Sequence, residues 1–202
     1  MSIPAQVVQL SAFELDNATA RVRQRTLDKN GGVPSARFLD HEWARLSYAN
    51  RRVLKGGKNY LEIGPGGGWF AKIVNSRKIF ERMVAVDIVE RRALPSAVEF
   101  VQQSIEKLDY PDKSFDTVVC MEVLEHLDDA TLASGLANLR RMCARQLLIT
   151  LPFCEPLPLP EYHHQRFSES RVRELFPNGK YSILLKEPVT RVPWIFIEER
   201  LD

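Results

Sequence analysis

The stretch Glu62-Ile63-Gly64-Pro65-Gly66-Gly67-Gly68 constrains this chain more than any other. It follows a short run, Lys58–Ile63, that reads as a strand. It precedes Trp69–Val74, which reads as the start of a helix. Glycines at such a turn let the backbone take φ > 0 and approach a ligand closely. The helix that follows offers unpaired N–H groups to an electron-rich partner.

The rest of the chain alternates in the same way. Met83–Asp87 and Val98–Gln103 read as short strands, Phe115–Met121 as a strand rich in β-branched residues, and Gln146–Leu151 as another. Asp128 is placed to cap a helix carrying Leu132, Leu136, Leu139 and Cys143. Ser168 is placed to cap a short one carrying Val172, Leu175 and Phe176, which Pro177 ends. Upstream, Ser35 is placed to cap a helix over about 36–55 with Leu39, Trp43, Leu46 and Val53 on one face, stopped by Gly56-Gly57. Only Ile88 to Ala97 separates the strands ending at Asp87 and starting at Val98, so a short helix is expected there. The last two strands, about 180–187 and 191–199, are too close for a crossover helix and should pair antiparallel. The pattern predicts an α/β fold: a doubly wound, Rossmann-like seven-stranded sheet, mostly parallel, with one antiparallel strand in a C-terminal hairpin.

The loop fits phosphate-binding fingerprints badly. With Gly64 and Gly66 as the first two glycines of G-x-G-x-x-G, the third position is Trp69, where a dinucleotide fold needs glycine for helix-on-strand packing. That argues against a nicotinamide oxidoreductase. No Lys-Ser/Thr pair follows, so it is not a P-loop. Glu62, just before the glycines, repels a pyrophosphate but suits a ligand carrying an ammonium and a sulfonium. Asp87 ends the next strand, nineteen residues beyond the last glycine. A carboxylate there stands beside the ribose of a nucleoside held over the loop and can accept from both hydroxyls.

E-x-G-x-G-x-G, an acid ending the next strand, and then SFDTVVCMEVLEHLDD resemble the small class I S-adenosylmethionine-dependent methyltransferases of the methyltransferase-11 type. The resemblance spans roughly 58–153, about half the chain. It implies that Gly64, Gly66 and Gly68 surround the methionine part of S-adenosyl-L-methionine, that Asp87 holds the ribose, and that Glu62 binds the amino group directly or through water. It implies that Ile88 and Ile105 pack on the two adenine faces. Cys120, Met121 and Glu122 would line the methionine end and the methyl-transfer channel. Where the family usually has Asp before Ile105, this chain has Ser104, which can accept from the adenine amino group without charge assistance. The product would be S-adenosyl-L-homocysteine, and no metal is expected. An Asn/Asp-Pro-Pro-Tyr sequence, typical of enzymes that methylate planar amino groups, is absent; Cys120-Met121-Glu122-Val123 stands in its place.

The segment Pro152–Phe167, stiffened by four prolines, follows a central strand and should overhang the crevice. Its HHQRFS resembles the His-Arg-Phe grouping of many small methyltransferases. Tyr162, His163 or His164 is placed to receive an acceptor proton and Arg166 to hold a carboxylate or phosphate, with His163 and His164 as the catalytic candidates. Glu125 and His126 read as residues that orient their loop, with acid/base chemistry as the alternative. The expected activity is methyl transfer by in-line displacement to an O or N atom of a small-molecule or sugar- or lipid-linked metabolite. The alternatives are a protein or tRNA acceptor, or a catalytically silent cofactor-binding partner subunit.

Length and charge bound the remainder. The 202 residues fit a single domain, with 1–57 as an arm and helix over the substrate side, 58–153 as the cofactor-binding core, and 154–202 as substrate loop, helix and hairpin. The net charge of +2 is too small to favour nucleic acid or an anionic membrane. Arg21, Arg23, Arg25 and Lys29 read as a solvated face. There is no membrane-spanning run and no signal-like N-terminus, so the expected setting is the cytoplasm. Cys120, Cys143 and Cys154 lack metal-ligand spacing, and Cys120 and Cys154 read as inert buried thiols.

Overall fold

The computed structural model describes residues 3–29, 40–90, 93–186 and 191–201. Its eight strands are β1 (Ala5–Gln9), β2 (Asn59–Ile63), β3 (Arg82–Asp87), β4 (Val98–Gln102), β5 (Phe115–Met121), β6 (Cys143–Pro152), β7 (Lys180–Leu185) and β8 (Trp194–Arg200). They form one sheet in the order β1-β7-β8-β6-β5-β2-β3-β4. Only β8 is reversed, running antiparallel to both β6 and β7. The order departs in opposite directions from β2 and β5, so the crevice at their carboxyl ends is the switch point where open α/β sheets take ligands.

β2, β3 and β5 are buried almost throughout, as parallel strands covered on both faces must be. Helices α1 (Asn17–Lys29), α2 (Asp40–Arg52) and α3 (Trp69–Ser76) cover one face, with Val22, Trp43, Leu46, Phe70 and Ile73 in its core. Helices α4 (Asp129–Met142) and α5 (Glu169–Leu175) cover the other through Leu132, Leu136, Leu139 and Val172. Asp128 caps α4 by accepting from the Thr131 amide at 2.8 Å, and Ser168 caps α5 by accepting from the Arg171 amide at 3.3 Å.

Two expectations need correction. The sheet has an eighth strand, β1, where an arm was expected. Its Val7 is largely exposed, so the strand is held by backbone pairing to β7, a partner far away in sequence. α1 follows directly, begun by Asp16. That carboxylate accepts from the Ala18 and Thr19 amides and from the Ser47 hydroxyl and Asn50 amide of α2. Burial opposes its charge, but these hydrogen bonds outweigh burial and hold the Asp16 carboxyl below its ordinary range. Finally, no helix forms between β3 and β4 among the described residues, because so short a span serves only to turn the chain. The proposed Ser35 cap and Leu39 lie outside the described residues, whereas Trp43, Leu46 and Val53 are buried as expected.

Candidate active site

Two adjoining cavities lie at the carboxyl ends of β2, β3 and β5. The smaller, about 200 Å³, is lined by Arg45, Glu62, Pro65, Trp69 and Met121 among others. The larger, about 370 Å³, is lined by Asp87, Ile88, Ser104, Ile105 and His126 among others. Ile63, Gly64, Gly66 and Glu122 border both, so the two form one cleft running over the glycine loop.

The loop is built by its glycines. Gly64, Gly66 and Gly68 have φ of 65°, 52° and 68°. The Gly64 amide donates to the Val86 carbonyl at 2.8 Å, which ties the loop to β3. A Cβ on Gly64 would sit 2.3 Å from Val123 Cγ2, whereas one on Gly66 would meet no protein atom within 4 Å. Gly64 therefore serves packing, and Gly66 presents bare backbone to the cleft.

Glu62 is buried at the end of β2 and accepts from the Tyr60 hydroxyl at 2.9 Å. Burial pushes its carboxyl up to about 7, despite the hydrogen bonds from Tyr60 and the Ala71 amide. Arg45 lines the same cavity from α2. Its guanidinium donates to Thr150 Oγ1 at 3.0 Å and Glu42 Oε2 at 2.9 Å, lies 3.7 Å from Glu122 Oε1, and stacks on the Trp194 ring at 4.5 Å. Its Nε is buried with no hydrogen-bond partner. Nothing in the sequence marked Arg45, since a basic residue in an amphipathic helix reads as solvated until the tertiary fold buries it.

Glu122, just past β5, adopts φ 54°, strained for a residue with a side chain. Its carboxylate accepts from Thr150 Oγ1 at 3.0 Å and from Trp194 Nε1 at 2.5 Å. At the other end of the cleft Asp87 accepts from the Val89 amide at 3.0 Å, and the side chains of Ile88 and Val89 stand exposed at the rim. The Ser104 hydroxyl donates to the Glu106 carboxylate.

The 152–167 loop divides the expected acceptor-side residues. His163 is packed inward: its Nδ1 lies 2.8 Å from Glu155 Oε2, and its ring is 5.1 Å from that of His126. The His164 amide donates to the Glu125 carbonyl at 2.8 Å, and its side chain is exposed. Tyr162 is also exposed, and Arg166 donates through Nε to the Glu155 carbonyl at 2.8 Å. Neither Tyr162, His163, His164 nor Arg166 lines the two cavities; His126 does.

Glu125 is 2% exposed, and its Oε2 has no hydrogen-bond partner. Burial, then the neighbouring Glu122 charge, pushes its carboxyl up to about 9. Cys120 is buried and its thiol is pushed well up by burial, then by Glu125. Cys154 corrects the expectation of two buried thiols. It is exposed, at φ 53°, because the chain turns outward after β6.

A family model described as a methyltransferase domain matches residues 35–183. A ubiquinone biosynthesis O-methyltransferase of Xanthomonas euvesicatoria pv. vesicatoria (strain 85-10) is 32% identical over 150 residues, covering 68% of this chain and 60% of that protein. The chain thus matches about 60% of the length of that relative. Among solved structures, N-methyltransferase NodS from Bradyrhizobium japonicum WM9, in complex with S-adenosyl-L-homocysteine, superposes with a TM-score of 0.69. It is 20% identical, over 92% of this chain and 99% of that one. The Burkholderia thailandensis 1,6-didemethyltoxoflavin-N1-methyltransferase gives a TM-score of 0.63 at 18% identity, over 100% and 94%.

Proposed function

The chain belongs to the methyltransferase domain family, and from that premise we propose that it transfers the methyl group of S-adenosyl-L-methionine to an oxygen or nitrogen atom of a small molecule. The observation that carries this reading is the polarity of the cleft. A carboxyl, Glu62, and a guanidinium, Arg45, share its smaller end, and Asp87 and an apolar rim occupy its larger end. An amino-acid zwitterion joined to a nucleoside has the matching order of groups.

The residues present fit that cofactor. The orphaned Arg45 Nε is a donor suited to its carboxylate. Glu62 is suited to its ammonium, whose charge would return the acid to its ionised form. Gly66 leaves room for close backbone approach, with Gly64 and Gly68 shaping the turn. Asp87 is suited to the ribose hydroxyls, and Ile88 and Ile105 to the adenine faces. With its hydrogen given to Glu106, the Ser104 oxygen keeps lone pairs for the adenine amino group. When bound, the cofactor supplies an electrophilic methyl carbon on a sulfonium. The chain then has to hold an acceptor in line and exclude water. Met121 and Glu122, which line the smaller cavity, are positioned for this.

The sequence likeness to an O-methyltransferase supports oxygen as the accepting atom. Of the two histidines expected to act, His163 is better supported. Its ring packs against His126, which lines the cleft, and with Nδ1 engaged by Glu155 it has one nitrogen left for the reaction. Tyr162 and Arg166 remain candidates for the outer acceptor contacts. No helix among the described residues is long and apolar enough to cross a membrane.

Calorimetric titration tests the reading. S-adenosyl-L-homocysteine should bind at least tenfold more tightly than NAD, and comparable affinities would refute it. A panel of hydroxylated and amine acceptors, read by mass spectrometry for a gain of one methyl group, would then identify the substrate.

A further inference from the structure

We propose that Glu125, His126 and His163 form a binding site for a divalent transition-metal ion beside the cleft. One potential ligand atom from each lies within 4.8 Å of the others. The hydrogen bonds around the two imidazoles decide which nitrogens are available. His126 Nδ1 lies 2.8 Å from the Tyr162 carbonyl oxygen, which only accepts; Nδ1 therefore carries the proton and Nε2 keeps its lone pair. His163 Nδ1 lies 2.8 Å from Glu155 Oε2, which as a carboxylate also accepts, so His163 Nε2 is likewise open. An oxygen on the far nitrogen is the arrangement that orients metal-ligating histidines.

The third ligand supplies an independent observation. Glu125 Oε1 lies 3.9 Å from His126 Nε2, and the other oxygen of the same carboxyl, Oε2, is buried without any donor. An unpartnered buried carboxyl oxygen is costly, and a cation that takes the place of the acid's proton removes that cost. The nearby amides of His164 and Gln165 are directed to the Glu125 carbonyl instead. Two imidazoles and one carboxylate suit zinc, cobalt, manganese or iron(II) better than magnesium or calcium, which favour all-oxygen sets. Ligands around a tetrahedral ion stand roughly 3.4 Å apart, so the trio must close by about 1 Å. His126, with 43% of its side chain exposed, has room to move.

Three protein ligands leave a coordination position open. Because His126 also lines the larger cavity, the ion would lie beside the cleft. An acceptor hydroxyl taking the open position would lose its proton to solvent more readily before its oxygen takes the methyl group. With an ion bound, His163 Nε2 ligates it and no longer takes the acceptor proton; the site itself goes beyond the methyl-transfer reading and does not rest on it.

Cobalt(II), added to tag-free protein and followed by its visible absorption, gives a readout independent of activity. The wild type should show saturable binding that zinc displaces. Glu125→Gln, His126→Asn and His163→Asn, each checked for folding by circular dichroism, should each bind cobalt at least tenfold more weakly. Glu155→Gln, which weakens the contact that orients His163 and removes a charge beside Glu125, should lose about tenfold or more. No saturable binding up to about 1 mM by the wild type would overturn the proposal. Binding that the ligand substitutions leave unchanged would also overturn it, since the ion would then sit elsewhere.

Discussion

Gly64→Ala and Gly66→Ala should fail for different reasons, and the structure sets the sizes. Both residues have φ above 50°. An alanine at either therefore incurs about 1–2 kcal/mol of backbone strain, partly offset by ~0.4–1 kcal/mol from a less flexible unfolded chain. At Gly66 nothing else is added, because the new methyl meets no protein atom within 4 Å. At Gly64 the methyl would lie 2.3 Å from Val123 Cγ2, which adds the roughly 1–3 kcal/mol of an overpacked core. Gly64→Ala should therefore lose about 1–4.5 kcal/mol of stability and Gly66→Ala about 0–1.5 kcal/mol. At roughly 2–4 °C per kcal/mol for a domain of this size, the melting temperatures should differ clearly. Affinity should follow the opposite order among folded protein. The methyl on Gly66 projects where bare backbone was available to the cofactor, so calorimetry with S-adenosyl-L-homocysteine should show at least a tenfold loss. A Gly66→Ala variant that binds like wild type would refute the assignment of that backbone to the cofactor. One destabilised as much as Gly64→Ala would refute the packing distinction.

Other outcomes follow from the same geometry. Asp87→Ala should weaken cofactor binding by about 1.5–3 kcal/mol, the scale of hydrogen bonds to a charged group, measured by calorimetry on protein of near wild-type melting temperature. Ser104→Asp should not tighten binding, because it sets a second carboxylate against Glu106, which now accepts from the Ser104 hydroxyl; a tighter variant would mean that Glu106 swings away. Glu62, at about 7 when folded against an ordinary 4.5, binds its proton more tightly in the folded state. Its contribution is full below about pH 4.5 and falls as pH rises to about 7, by up to roughly 3 kcal/mol. Glu62→Gln should flatten that part of the ligand-free stability curve in urea titrations, and an unchanged slope would count against the shift. His163→Ala should slow turnover at least tenfold more than His164→Ala, and equal effects would contradict the inward and outward placement of the two rings.

What the sequence determined by itself was the part of the molecule whose signals are local. The glycine loop, the acid before it, Asp87 and the apolar β2, β3 and β5 can each be read within a few residues, because turn geometry and strand burial act at short range. The caps at Asp128 and Ser168 are local for the same reason. They were enough to give the α/β class and the family, and the short spacing of the last two strands gave the reversed one. Contacts across the sheet and between loops were not legible. β1 exists only because β7 offers it an edge. Arg45 looks like any helical arginine until α2 is laid over the glycine loop and buries it beside Glu62. His163 and His164 are adjacent and chemically alike in sequence. The fold separates them by pinning two successive amides of their loop, those of His164 and Gln165, to the Glu125 carbonyl, which leaves one ring facing His126 and the other in solvent. Burial and the pairing of distant side chains are properties of packed elements, so only the tertiary structure could decide them.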